Sequence, residues 1–213
     1  DGSGRLAVGV PVLLLPPKPL TKARSLPAPP EHHKLIERPA ELDAVRKKLA
    51  GGTIGTAHVG ITSSLNVGLP GMPGLGKTVL LALVLNDPWV HGMVCPDGAA
   101  VIDFGENADD EAALDAAIKA LGGERVSEKG IPPRVDALRK AADGRRILLG
   151  LDDVWKKKDG SNPAAHIMNA LRGTTATVLV TSRDGELLNK DLGVAVHRIE
   201  LLNEDDGLRL MGL

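Results

Sequence analysis

Aromatic side chains are almost absent from this chain. Its 213 residues include one phenylalanine, two tryptophans and no tyrosine. Platforms for single-stranded nucleic acid stack bases on aromatic faces, so that class of function is disfavoured at once. Cysteine occurs only at Cys95. No disulfide can form within the chain, no zinc site can be built on cysteine, and this usage fits a reducing compartment. Nothing near Cys95 resembles an activating base, which argues against a catalytic thiol. An excess of charge of one sign is missing too: 26 basic and 27 acidic residues leave a net charge of −1. No global field therefore attracts DNA, RNA or an anionic lipid surface. The apolar run at residues 6–15 is too short to span a bilayer and contains Pro11. Neither a nucleic-acid nor a membrane partner is expected. The chain also lacks a starting Met, and a piece of a longer protein is expected.

What is present is a large aliphatic inventory. Hydrophobic residues make up 43% of the chain, so a core of Leu, Val, Ile and Ala can be built. Residues 1–34 carry Pro11, Pro16, Pro17, Pro19, Pro27, Pro29 and Pro30, which disfavour helix and central strand. They are expected to form a poorly ordered linker or flank, with the folded domain at 35–213. The pair His32-His33 falls in that linker without the company a metal site needs.

Along the domain, Pro39 suits a first helical position, and Leu42, Val45 and Leu49 recur at helical spacing up to Gly51-Gly52. Strands are predicted at 65–69, 99–104, 147–151, 176–181 and 194–199. Helices are predicted at 78–85, 110–121, 134–142 and 163–171, the last with Asn162 as N-cap, and Asn203 is read as the cap of a terminal helix. Alternating strands and helices, with continuous apolar runs in the central strands, signify an α/β fold with a parallel sheet covered on both faces. Ligands of such folds sit at the carboxyl ends of the strands.

The sharpest feature is Gly71-Met72-Pro73-Gly74-Leu75-Gly76-Lys77-Thr78, which fits the phosphate-binding pattern G-x-x-x-x-G-K-[ST] between a strand and a helix. Glycines let the backbone approach an anion, and successive N–H groups form a nest. The helix start adds its positive dipole end. Lys77 supplies a cation for the β/γ-phosphates, and the Thr78 hydroxyl can ligate Mg²⁺.

Three more polar groups adjoin strand ends. Asp152 and Asp153 are read as following the third strand. Asp152 can hold the Mg²⁺ shell opposite Thr78, and Asp153 can polarise an attacking water. Thr181-Ser182-Arg183 follows the fourth strand, where a hydroxyl and an arginine can read a terminal phosphate. Glu37-Arg38, at the entry to the first helix, can reach a nucleotide from the open side.

The order of Glu37-Arg38-Pro39-Ala40-Glu41-Leu42, the GMPGLGKT loop, Leu151-Asp152-Asp153-Val154-Trp155 and Val180-Thr181-Ser182-Arg183-Asp184 resembles the NB-ARC branch of the STAND P-loop NTPases. These are nucleotide switches of apoptotic ATPases, plant immune receptors and bacterial relatives. The resemblance covers roughly residues 35–213. It implies a three-layer P-loop NTPase sandwich with a mainly parallel five-stranded sheet. Its nucleotide contacts would come from Ile36, Glu37 and Arg38 near the adenine and ribose, and from Gly71, Met72, Pro73, Gly74, Leu75, Gly76, Lys77, Thr78 and Val79. Mg²⁺ would sit on Thr78 and Asp152. Lys77, Asp152, Asp153 and Arg183 would act on the phosphates, Arg183 as the sensor of the γ-phosphate. The implied activity is ATP/ADP-dependent switching in cytoplasmic signal transduction and defence, with at most slow Mg²⁺-dependent hydrolysis. The implied partners are adenine nucleotide, other domains of the same longer chain, and further copies on activation. Pro73, Val79, Pro39 and Gly150 depart from the family pattern. The helical lid and winged-helix motifs of the family do not occur before Leu213. Two other readings stay open: a conventional P-loop ATPase or kinase, and a non-catalytic interaction scaffold with a degenerate pocket.

Overall fold

In the computed structural model, the described residues are 39–50, 66–69, 76–106, 108–157, 159–197 and 199. Residues 1–38, 51–65, 70–75 and 201–213 lie outside them, and with them the predicted linker and the terminal helix after Asn203.

After Lys77 and Thr78 come seven consecutive apolar residues, and this stretch forms helix α2 (Lys77–Leu85). A helix that is apolar all round must be covered on several sides. Leu80, Leu81, Ala82, Val84 and Leu85 are buried, each fully buried leucine contributing about 1.5–3 kcal/mol relative to exposure. On one side lies helix α1 (Pro39–Ala50), which buries Val45 and Leu49. On the other lies the sheet, through Ala99, Leu148 and Leu179. Asn86 ends α2 by returning both its backbone and its side-chain N–H to the Ala82 carbonyl, at 3.1 and 2.8 Å.

The sheet has five strands in the order β2-β3-β4-β1-β5. They are β1 (Asn66–Leu69), β2 (Ala99–Asp103), β3 (Leu148–Val154), β4 (Thr177–Ser182) and β5 (Ala195–Val196), and every pairing is parallel. The connection from β1 to β2 runs along the sheet in one direction, and the later connections run back in the other. Crossovers of a single hand must then lie on opposite faces. This is the observed arrangement. α1, α2 and α3 (Pro88–Met93) cover one face, while α4 (Asp110–Ala120), α5 (Ile131–Ala142), α6 (Pro163–Leu171) and a π-helical turn at Leu187–Asp191 cover the other. Alternation along the strands serves both faces: Leu148 meets the first, Leu149 and Leu151 the second.

Gly150 lies on the α2 face. A Cβ there would stand 3.1 Å from Leu81 Cδ1, 3.1 Å from Leu85 Cδ1 and 3.3 Å from Val101 Cγ2. The missing side chain lets the phosphate-loop helix press close to the sheet.

The five strands and the helices at 39, 77, 110 and 163 lie where the sequence puts them. Elsewhere there are differences. α5 starts at Ile131, three residues before the predicted 134, because a first helical turn tolerates Pro132 and Pro133. α3 and the π-helical turn were not predicted. β5 is two residues long rather than six. Asp152 and Asp153 do not follow β3; they lie within it, since the strand continues to Val154. Leu151 pairs with Val180 and Val154 with Ser182, so β3 holds one residue more than β4 over that interval, a β-bulge.

Candidate functional site

Reversal of direction between β1 and β4 creates a topological switch point. Helix α2, which follows β1, covers one face of the sheet and the π-helical turn, which follows β4, the other; in such folds ligands sit at the carboxyl ends of the two strands. Leu69 at the end of β1 pairs with Thr181 of β4, and Asp103 at the end of β2 pairs with Asp152 of β3. The polar residues singled out in the sequence therefore lie along one edge of the sheet.

On the β1 side, α2 begins with Gly76 at φ 82°, a left-handed conformation that glycine adopts without penalty. A Cβ there would meet Val79 Cβ only at 4.0 Å, so among the described residues conformation rather than space favours the glycine. The first i→i−4 bond of the helix runs from Leu80 N–H to Gly76 O, 2.8 Å. Helix geometry directs the N–H groups of the preceding turn, Gly76 to Val79, beyond the N-terminus, where an anion is favoured. Lys77 is buried. Burial holds its ammonium below the usual value, Arg183 adds to the shift, and Asp153 and Asp152 oppose it. The Lys77 and Arg183 charges thus act on the same small volume. Val79 is half-buried and brings no hydroxyl to the site.

Thr78 donates its hydroxyl to Asp152 Oδ1 at 3.2 Å, bridging α2 to β3. The same carboxylate oxygen accepts from the hydroxyl of Thr181, which is buried at 1% exposure. Thr181 Oγ1 in turn accepts the Asp153 N–H at 2.8 Å. β4 lies between β1 and β3, and the Thr181 hydroxyl ties both residues of the bulge. Asp153 is the non-glycine residue with positive φ, 51°, among the described residues. Such a conformation costs of order 1–3 kcal/mol and persists only where surroundings enforce it; here the bulge and the Thr181 bond do so.

Asp153 Oδ1 lies 3.6 Å from Arg183 Nε, and the Arg183 guanidinium lies 4.8 Å from the centroid of the Trp155 ring. Ser182 donates to Val154 O at 2.7 Å. Of the three residues read at the end of β4, then, both hydroxyls are committed to β3, and Arg183 is left 44% exposed.

Sequence reasoning missed Asp103. Burial, then Asp152, then Asp153 raise its carboxyl above the usual range. Its lateral neighbour depends on strand order, which residue spacing does not encode. Cys95 is buried, and burial pushes its thiol up to about 12; a thiol in that state is inert. The expected contacts Ile36, Glu37, Arg38, Gly71, Met72, Pro73, Gly74 and Leu75 lie outside the described residues.

A hydroxyl and a carboxylate converging from Thr78 and Asp152 form a hard-oxygen pair that fits Mg²⁺. Among the described residues no three His, Cys, Asp or Glu side chains form a cage by themselves. No helix among the described residues is long and apolar enough to cross a membrane.

Comparison with known proteins agrees with this geometry. A family model described as NB-ARC domain matches residues 41–213. The disease resistance protein RGA2 of Solanum bulbocastanum is 28% identical over 151 residues, 68% of this chain and 14% of that protein. The putative disease resistance protein RGA1 of the same species is 28% identical over 113 residues, 53% of this chain and 11% of that one. The chain thus spans only a small part of these relatives. Among solved structures, the Aeropyrum pernix ORC1 protein, determined in complex with DNA, superposes with a TM-score of 0.61 and 19% identity over 84% of this chain and 49% of that chain. The likeness is one of fold, the P-loop NTPase fold.

Proposed function

This chain belongs to the NB-ARC family, and we propose that it is the ATP/ADP-binding regulatory module of a larger signal-transducing NTPase. The observation that carries the reading is the Thr78–Asp152 hydrogen bond from the start of α2 to β3, with Arg183 beside Asp153 on the same sheet edge. In this reading the amides at the start of α2 and the Lys77 ammonium hold the phosphates. Mg²⁺ is held by the Thr78 hydroxyl and the Asp152 carboxylate, and its chemistry when bound is to neutralise charge on the phosphate oxygens. Arg183 meets the terminal phosphate. Ile36, Glu37, Arg38 and residues 71–75 complete the nucleotide contacts.

A third phosphate and its cation offer contacts that ADP cannot, and that difference can bias two states of the whole protein. Hydrolysis in this reading is slow, well below the ~10 per second of a median enzyme. Partners are the other domains of the longer chain and further copies of it in the active state. The compartment is the cytoplasm, in keeping with a buried free thiol at Cys95.

Calorimetric titration with ADP and with ATP–Mg²⁺, beside Lys77→Ala, tests the reading. Saturable binding that disappears in Lys77→Ala is expected. Nucleotide binding that survives unchanged in the variant overturns the phosphate assignment. Turnover of many per second overturns the switch in favour of a conventional ATPase.

A further inference from the structure

Arg183 leaves β4 from a fixed point. Ser182 before it is 1% exposed and bonded through its hydroxyl to the Val154 carbonyl, so the end of β4 is stitched to the end of β3. Trp155 follows Val154 directly. The Arg183 backbone and the indole therefore keep one spacing while the guanidinium can turn. Two contacts hold that guanidinium. One is the Asp153 carboxylate at 3.6 Å, beyond hydrogen-bond distance, in a pair that is 44% and 34% exposed. The other is the face of the Trp155 ring, 4.8 Å away. The indole Nε1 is buried without a hydrogen-bond partner among the described residues. The ring therefore lies with its Nε1 edge inward and its face toward Arg183.

These contacts differ in kind. A loose, exposed ion pair is worth little and exchanges readily. A terminal phosphate offers the guanidinium two parallel short bonds in place of one long one. The ring carries no charge, competes with neither anion, and keeps a cation near its face in either direction. Asp153 meanwhile cannot follow Arg183, because its backbone is fixed in the bulge at φ 51° and by the bond to Thr181.

We propose that Trp155 is a positioning residue on which Arg183 pivots, from the Asp153 carboxylate in the absence of a third phosphate to the terminal phosphate when one is bound. The exchange frees Asp153 only in the triphosphate state, so one movement both senses the third phosphate and releases the carboxylate beside it. The inference rests on the nucleotide reading above.

Trp155 reports the movement. Trp89, the other tryptophan, is exposed on α3, on the outside of the fold, so Trp89→Phe leaves Trp155 as the sole emitter. In the 213-residue chain carrying Trp89→Phe, ADP and ATP–Mg²⁺ are expected to give different emission maxima, and Arg183→Gln is expected to abolish the difference. Calorimetry on Trp155→Leu should show the ATP-over-ADP preference reduced about two- to tenfold, the cost of ordering an untethered guanidinium on the third phosphate. Trp155→Phe, which keeps a ring, should recover most of it, separating positioning from a general loss of structure. An ADP–ATP emission difference that persists in Arg183→Gln overturns the pivot. So does a Trp155→Leu or Trp155→Phe protein with the full wild-type preference, or a Phe variant no better than Leu. Absence of calorimetric binding of either nucleotide to the parent chain overturns the nucleotide reading and the pivot together, whereas binding with an unaltered preference overturns the pivot alone.

Discussion

Replacing Thr181 by valine should damage stability and the metal site together, although the two side chains have nearly the same shape. Thr181 is 1% exposed and its hydroxyl makes two bonds, accepting from Asp153 N–H at 2.8 Å and donating to Asp152 Oδ1. Valine supplies neither. The Asp153 N–H then lies in the sheet without an acceptor, at a cost of about 1–3 kcal/mol. The Asp152 carboxylate loses a charge-assisted bond of about 1.5–3 kcal/mol and keeps the longer one from Thr78, 3.2 Å. Both losses pass through one hydroxyl, so they do not add in full, and the methyl that replaces it regains a little by burial. A net loss of about 2–4 kcal/mol follows, or roughly 5–15 °C in melting temperature for a domain of this size. Urea unfolding followed by far-ultraviolet circular dichroism measures it. Thr181→Ser, which keeps the hydroxyl and drops a methyl, should lose clearly less. Because Asp152 is then held from one side only, Thr181→Val should also lower ATP–Mg²⁺ affinity more than affinity for ATP in chelator. A Thr181→Val protein with the wild-type urea midpoint refutes the bridging argument, as does a serine variant equally damaged.

Asp103→Asn should stabilise the nucleotide-free chain. The folded state raises the Asp103 carboxyl, through burial and then Asp152 and Asp153, so its ionised form costs stability once pH exceeds the unfolded value near 3.9, and the cost is complete above the folded value. The gain should be a few tenths of a kcal/mol near neutrality, since Asp103 is exposed. It should vanish below about pH 3.9; thermal melts at both pH values check it, and a gain of equal size in acid contradicts the electrostatic origin. Gly150→Val should cost about 1–3 kcal/mol by overpacking against Leu81 and Leu85. Combined with Leu81→Ala, which alone costs about 2–5 kcal/mol, the double variant should lose at least about 1 kcal/mol less than the two single losses summed, because the added methyls enter the vacated space. Strict additivity in denaturant titrations excludes the close approach at Gly150.

Much of this was legible in the sequence because it depends on local order. Leu42, Val45 and Leu49 mark α1 by their spacing, and Asn162 caps α6 as read, accepting from Ala164 N–H at 3.0 Å. The phosphate-loop pattern marks its own helix. Other features were illegible for identifiable reasons. α3 carries a start signal in Asp87-Pro88, yet its six residues are too few for a helical period to declare itself. The pair Asp152-Asp153 interrupts an apolar run and so mimics a strand end. The strand continues because Val154, 1% exposed, re-enters the core and pairs with Ser182 after one extra residue. The meeting of Asp103 with Asp152 joins two strands, and the contact of Trp155 with Arg183 joins the residues just after β3 and β4. Neighbourhood of that kind is set by the strand order and has no counterpart in spacing along the chain.

That order also explains why the site opposes itself when nothing is bound. Placing β4 between β1 and β3 sets Lys77 and Thr78 on one side of Thr181 and the bulge of β3 on the other. On the cationic side, burial and then Arg183 work against the charge on Lys77. On the anionic side, burial and then two neighbouring carboxylates work against the charge on Asp103. Asp153 and Asp152 favour the charge on Lys77, but Arg183 reaches Asp153 only at 3.6 Å, so the two sets relieve each other only in part. A polyphosphate alone answers the cations but faces Asp152 and Asp153. A divalent cation alone answers the carboxylates but finds no protein cage. On the proposed reading the two together answer both, and any coupling between them is reciprocal. The like charges along the sheet edge, costly to the empty fold, would then favour the pair over either member.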